Sequence, residues 1–455
     1  MAKQIIKDLS NGKVMPLLLN FAIPIMLSNL LQTAYNMVDM IIIGQYEGSV
    51  GLSAVSIGGD IMHFFAFAGM GFATAGQIIV SQYVGAGKKE ELNKVIGTLL
   101  TFIVIVAIFL TFIGLIFAPK MLSWLNVHKL SYKDTYSYLI CSCVGMIFIF
   151  GYNMVSAILR GMGDSRRPMY FIGFAAILNT ILDILFIGSF NMGAFGAALA
   201  TVIGQGASCI LAFVYLYLNR EAFGFDFKRK SFKPDGAIIK IIVRLGIPIA
   251  IQSSAGNISA LFVSSYVNTY GIVATAVTGV GNKLNNVALI VANAMNVSGA
   301  AMIGQCFGAN KMERIKDVFY HVFFVVLCFV SMLSIIMLLF PQQIFDIFNH
   351  EEQVLSMAFA YAPVAAISFM GFTFRSPCLS LINGLGQSKM NFMMGVFEGL
   401  ILRIGLTYIM GVILDMGIAG FWYGSAIASY GYGLVVFPYF FSGKWRHIKQ
   451  TIVVN

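Results

Sequence analysis

The chain has 455 residues, 58% of them hydrophobic and only 11% charged, with a mean hydropathy of +0.84. No water-soluble globular surface can be built from that composition, so the chain belongs in a bilayer. The formal net charge of +10 would suit a nucleic-acid partner, but the placement of the basic residues excludes that reading and marks one membrane face instead.

Twelve spans are predicted, near 15–43, 51–82, 95–118, 135–159, 168–190, 194–218, 238–268, 273–305, 318–341, 354–382, 391–414 and 417–441. Their apolar runs are continuous, which excludes the alternating strands of an outer-membrane barrel. Of the 29 Lys and Arg residues, 23 fall on one set of connections, among them Lys88, Lys89 and Lys94, Arg166 and Arg167, and the stretch from Arg220 to Arg244. The opposite connections hold Lys120, Lys129 and Lys133, so the positive-inside rule places both termini in the cytoplasm. The first apolar run is too long for a secretory signal and lacks a small-residue cleavage site, so it reads as an uncleaved first helix. The six cysteines fall inside spans without metal or redox spacing and read as small packing residues.

A repeat runs through the chain. Ala22-Ile23-Pro24-Ile25 returns as Gly246-Ile247-Pro248-Ile249, and Gly161-Met162-Gly163-Asp164-Ser165 returns as Gly384-Leu385-Gly386-Gln387-Ser388, at offsets of 224 and 223. Gln82 with Gly85-Ala86-Gly87 and Gly193 with Gly196-Ala197 return in the same order. The expected fold is therefore an all-α polytopic membrane protein of about twelve helices. They form two six-helix lobes of like topology, related by a pseudo-two-fold axis along the membrane normal. The expected boundaries are 1–218 for the first lobe, 219–237 for a basic cytoplasmic linker and 238–455 for the second lobe. Two lobes about a central cavity suit a transporter, because rocking exposes the cavity to each side in turn.

Ionisable groups inside spans are costly and face a cavity or a partner. In the first span Ser28, Gln32, Tyr35, Asn36 and Asp39 form one polar stripe, which cannot face lipid. Asn179 and Asp183 are four residues apart on one face of the fifth helix, with Asp183 about 24 Å in. Thr201 lies about 12 Å down the sixth helix, at a similar depth. The repeat places Phe262 or Val263 opposite Asp39, and Leu406 or Thr407 opposite Asp183, so the acids are not needed to build the scaffold. The residues alone leave two readings open. One is a hydrogen-bond network that fixes helix packing; the other is a cation-coupling site that loads a proton or binds Na⁺ at Asp39 and Asp183.

Pro24 and Pro248 are expected to kink equivalent helices, either as static bends or, at Pro24, coupled to the state of Asp39. In the second lobe Asn257, Lys283 and Asn286 are candidates for a substrate cavity, as are Gln32, Tyr35 and Asn36 in the first. Glu398 and Arg403, five residues apart, are expected to pair with neighbouring helices. Asp60 and Arg375 are further charges in the spans.

The segments Ala34-Tyr35-Asn36-Met37-Val38-Asp39 with Ile43-Gly44, Gln82-x-x-Gly85-Ala86-Gly87, Leu159-Arg160-Gly161-x-Gly163-Asp164 and Leu178-Asn179-x-x-Leu182-Asp183 resemble the multidrug and toxic compound extrusion (MATE) family along essentially the whole chain. The resemblance implies export of lipophilic, often cationic organic compounds in exchange for H⁺ or Na⁺, without a cofactor. It also implies a cation site at Asp39, Asn179, Asp183 and Thr201, with Asn153 matching a further Asn of that site. Members of the NorM group carry two second-lobe acids where this chain has Gly256 and Phe372, so the pattern is closer to the DinF-like prokaryotic branch. The implied setting is a prokaryotic plasma membrane, with small organic molecules and lipid as partners, no nucleic acid and a single chain as the working unit. A lipid-linked precursor flippase of the same superfamily is the alternative transport reading. A lipid-modifying enzyme would need a catalytic pattern such as HExxH or GxSxG, which the sequence lacks.

Overall fold

The computed structural model describes residues 6–450 and 452. Every long element is helical: α1 (Val14–Gly85), α2 (Lys89–Trp124), α3 (Lys129–Gly161), α4 (Arg166–Asp183), α5 (Gly193–Leu218), the short α6 (Arg220–Phe223), α7 (Gly236–Asn268), α8 (Ile272–Gly308), α9 (Met312–Leu339), the short α10 (Pro341–Asp346), α11 (Glu352–Gly384), α12 (Ser388–Val396), α13 (Arg403–Tyr408), α14 (Gly417–Ala428) and α15 (Gly431–Phe441). No strand occurs among the described residues. Ten stretches are single helices long and apolar enough to cross a membrane. The first of them, with 72 residues, holds two spans, because Gly48 breaks it at φ 61° and ψ −148°, a conformation open to glycine but not to residues with a Cβ. The last span is broken at Ser429-Tyr430 into α14 and α15. Twelve crossings result, and the chain is an all-α polytopic membrane protein.

The helices form two compact units. The first comprises residues up to Asp8 with Ile23–Ala250, the second Leu9–Ala22 with the chain from Ile251 onward. The divisions thus fall inside α1 and α7, within two residues of Pro24 and Pro248, and not at the polar stretch 219–237. That stretch is fastened to α2 within the first unit. Asn93 donates to Ser231 at 3.2 Å, Thr101 to the Phe232 carbonyl at 2.8 Å, and Lys94 pairs with Asp235 at 2.6 Å. Within the second unit the segment Leu9–Gly12 is held by cations. Lys311 bonds the Ser10 carbonyl at 3.1 Å, and Arg314 reaches the carbonyls of Leu9 and Asn11.

Inside each unit the repeat is visible in the backbone. Positive φ recurs at Gly163 (85°) and Gly386 (71°), and at Asn191 (51°) and Asp415 (50°). Close approaches recur as well: a Cβ on Gly58 would collide with the Tyr138 ring, and one on Gly281 with the Tyr361 ring. A π turn follows the fifth helix of each repeat, at Ile184–Ser189 and Ile409–Ile413. The second unit has an additional π turn, Phe397–Leu402, where the first continues as regular α4. The offset is 223 immediately before this turn (Gly163 to Gly386) and 224 after it (Asn191 to Asp415). One extra residue in a helix is what a π turn accommodates, so the change of offset and the extra turn are the same event.

Candidate functional site

In the first unit α1, α4 and α5 bring four of the expected residues together. Asp39 is 8% exposed, Asn179 3% and Asp183 fully buried. The carboxyls of Asp39 and Asp183 lie within hydrogen-bonding reach of each other. In the amide orientation that satisfies both neighbours, Asn179 donates to Asp39 Oδ1 at 2.8 Å and accepts from the Thr201 N–H at 3.3 Å. Asn179 and Asp183 share a face because they are one α-helical turn apart, and the π turn begins only after Asp183. Asp183 Oδ1 is buried with no hydrogen-bond partner among the described residues.

Two neighbours complete the arrangement. Gln205 donates to the Tyr35 hydroxyl at 3.3 Å, and Tyr138 of α3 is near enough to both carboxyls to interact with them electrostatically. A small recess, with room for about one water molecule, is lined by Tyr35, Ala175, Asn179, Thr201, Gly204 and Gln205. Gly204 allows the close approach of α5 to α4 here: a Cβ at that position would stand 3.1 Å from the Ala175 carbonyl oxygen and 3.3 Å from Asn179 Cβ. Beyond the carboxyls an apolar cluster of Ile42, Ile43, Ala54, Val55, Ile187 and Ala197 closes the bundle, with Tyr138 packed against it. The acids therefore sit between a small polar recess and an apolar plug, a setting in which a charge is strongly disfavoured unless it is neutralised.

The remaining expected residues are placed differently. Asn153 on α3 donates to the Ile149 carbonyl of its own helix at 2.9 Å and makes no hydrogen bond to Asp39 or Asp183. Tyr35 of the α1 stripe enters the recess, whereas Gln32 is half-buried and Asn36 exposed. In the second unit Asn257 is exposed and donates to Ser253 O at 2.9 Å, and Lys283 and Asn286 are exposed along one face of α8. Asp60 is exposed. Pro24 lies inside α1, where Ser28 donates to its carbonyl at 2.8 Å, and Pro248 lies inside α7.

Glu398 and Arg403 pair with each other, which corrects the expectation that each takes its partner from a neighbouring helix, and Glu398 in addition acts electrostatically on Arg375 of α11. In an α-helix residues five apart point about 140° away from each other. The extra π turn between them carries i→i+5 geometry and stacks them on one face.

Gln205 was not anticipated from sequence, although its spacing of four from Thr201 on one helix face signals it. Tyr138 carries no such signal, because an aromatic in an apolar span has the look of ordinary core.

Comparison with known proteins agrees with this architecture. The chain is 27% identical over 438 residues to the probable multidrug resistance protein YoeA of Bacillus subtilis (strain 168), covering 95% of each chain. It is 24% identical over 446 residues to the probable multidrug resistance protein NorM of Thermotoga maritima, covering 96% of this chain and 94% of that one. Its fold is similar to a crystal structure of MATE in complex with MaD3S, with a TM-score of 0.89 at 21% identity over 96% of this chain and 97% of that one. The MatE family model matches twice, over residues 24–185 and 248–409, so that its two copies start 224 residues apart. The internal repeat is thus a repeat of the family domain itself, and the chain belongs to the MatE family.

Proposed function

We propose that this protein is a secondary multidrug efflux antiporter, which exports lipophilic, often cationic organic compounds in exchange for H⁺ or Na⁺. The Asp39–Asp183 pair, with Asn179 and Thr201, is its coupling site. The observation that carries this reading is the facing of two carboxyls in membrane-spanning helices of the first unit, with the Asn179 amide donating to one of them. A hydrogen bond between two carboxyl groups exists only while one of them holds a proton. Loss of that proton leaves two negative charges in contact in a medium that screens them poorly, and a second cation or a separation of the helices must then relieve them. Loading and unloading is thereby tied to helix position, which coupling requires. The Asn179 amide and the unpartnered Asp183 Oδ1 are also suitable oxygen ligands for Na⁺. Names of multidrug resistance proteins among relatives that match nearly end to end support the substrate class. Both termini are assigned to the cytoplasm by the charge distribution.

The test is efflux of a lipophilic cation from proteoliposomes under an imposed proton gradient or an imposed Na⁺ gradient, for wild type and Asp39→Asn. Wild type is expected to respond to the proton gradient and the variant to neither. Equal transport by both proteins under both gradients would overturn the assignment, and a response to Na⁺ alone would replace the proton as coupling ion.

A further inference from the structure

The second unit has a charged interior of its own. Arg375 lies about 14 Å along α11 from its Gly384 end, and Glu398 about 15 Å from the start of the span at Ser388. Glu398 is 2% exposed, and its carboxylate is taken by Arg403. Arg375 makes no ion pair within contact distance and no hydrogen bond among the described residues; the ring of Tyr432 lies against it, 5.6 Å from guanidinium carbon to ring centroid, and Glu398 acts on it electrostatically without pairing with it. Its side chain stays partly exposed. One carboxylate and two guanidinium groups leave an excess positive charge within membrane-spanning helices, where uncompensated charge is expensive.

The scaffold does not need this arginine. At the offset of 223 its counterpart is Tyr152, whose hydroxyl donates to the Pro168 carbonyl at 2.9 Å inside the first unit. At 224, after the extra π turn, the counterpart of Arg403 is Asn179. A neutral, satisfied side chain thus serves where the second unit places a cation. A guanidinium presents paired N–H donors along its edges that match the two oxygens of a carboxylate or a phosphoryl group, and an aromatic ring on its face leaves those edges free.

We propose that Arg375, backed by Tyr432 and set beside the Glu398–Arg403 pair, is a binding site for an oxyanion, the carboxylate or phosphoryl group of an amphiphilic ligand. The ligand is either a transported compound with an acidic group or a lipid headgroup; the recognition chemistry is the same. Such a site widens the accessible compounds from cations to zwitterions and acids. It does not rest on the coupling assignment, because its binding is measured without any ion gradient.

The experiment is calorimetric titration of the purified full-length protein in neutral detergent with phenyl phosphate, with benzoate, and with uncharged benzamide. Both anions are expected to bind saturably and benzamide not at all. Arg375→Gln should weaken the anions at least about tenfold while keeping the wild-type melting temperature, and Arg375→Lys should weaken them less. Repeating the phenyl phosphate titration in phosphatidylcholine vesicles with and without phosphatidylglycerol separates the sources. Competition by phosphatidylglycerol assigns the site to a lipid headgroup, and indifference to it assigns the site to a substrate's acidic group. Anion binding unchanged in Arg375→Gln, or no saturable binding to wild type, would overturn the proposal, as would loss of folded protein in Arg375→Gln with wild-type affinity in Arg375→Lys.

Discussion

At one position in the fifth helix of each repeat, the first unit has Asn179, donating to the Asp39 carboxyl and accepting from the Thr201 N–H, and the second has Arg403, neutralising one carboxylate. Around these positions the backbones agree down to single residues of positive φ, and a π turn follows in both. The polar contents differ: two aspartates and amides in the first unit, two arginines and one glutamate in the second. A shared backbone with unshared charges shows that the charges are not what the fold requires, and each set therefore calls for its own explanation. The second unit even carries an inserted residue, absorbed as a π turn, that brings Glu398 onto the face of Arg403.

The largest difference between the units is expected from removing one residue at this place. A deletion in an α-helix turns every later side chain by about 100°. Deletion of Ile177 in regular α4 should therefore leave no folded protein in detergent, since Asn179, Asp183 and the following π turn would all leave their faces. Deletion of Ile401 should be tolerated, because it removes the bulge, returns the helix to the first unit's geometry and leaves Glu398 and Arg403 four apart. Monodispersity on size exclusion reads both, and equal loss for the two deletions would break the equivalence of the scaffolds.

Next in size is the loss of an acid compared with its counterpart. Asp183→Asn should reduce gradient-driven efflux to the level of protein-free vesicles. Thr407→Ala, at the matching position, should stay within about twofold of wild type, because the Thr407 hydroxyl bonds only carbonyls of its own helix, Arg403 O and Ile404 O. A severe loss in Thr407→Ala would mean that the second unit also carries coupling.

Much of this architecture was legible beforehand, and the exceptions share a cause. Continuous apolar runs gave the spans, and helical spacing gave Asp39, Asn179, Asp183 and Thr201, because a period of 3.6 is stated directly by sequence. The Glu398–Arg403 pair was misread because a spacing of five argues against contact in an α-helix. Only the change of offset from 223 to 224 betrays the π turn. The polar stretch 219–237 reads from sequence as a basic linker, and its anchoring by Asn93, Thr101 and Lys94, over a hundred residues earlier, is a pairing that no local pattern announces.

A smaller effect is expected at the contact of α4 with α5. Gly204→Ala places a methyl group 3.1 Å from the Ala175 carbonyl oxygen, so α5 must give way by a few tenths of an ångström beside the Asn179–Thr201 contact. Efflux should fall about two- to fivefold, the equivalent of about 0.5–1 kcal/mol. In the second unit Ala428 already carries that methyl group, fully buried, and Ala428→Gly should leave anion binding unchanged. Wild-type efflux in Gly204→Ala would show that the coupling site does not depend on this close approach.

The smallest effect separates the two units by the way each holds its polar strap. On the first unit Asp226 accepts from the Ser231 hydroxyl at 2.5 Å and from the Lys228 N–H at 3.1 Å, which lowers its pKa to about 2. Asp235 is lowered too, by the bond to Lys94 and then by the Ile238 N–H. A carboxyl whose pKa is depressed on folding stabilises at any pH above its unfolded value of about 3.9, and the contribution disappears as pH falls toward the folded value. The strap 219–237 should therefore loosen between about pH 4 and pH 2 and be indifferent to pH near neutrality. On the second unit Lys311 and Arg314 hold Leu9–Gly12 through backbone carbonyls, which do not titrate. Limited digestion with pepsin, normalised to a reference peptide, should show cleavage within 219–237 rising as the pH is lowered through this window, while cleavage within 9–12 stays constant. Parallel rises at both straps would mean that acid loosens both units and not the carboxylate-held segment alone.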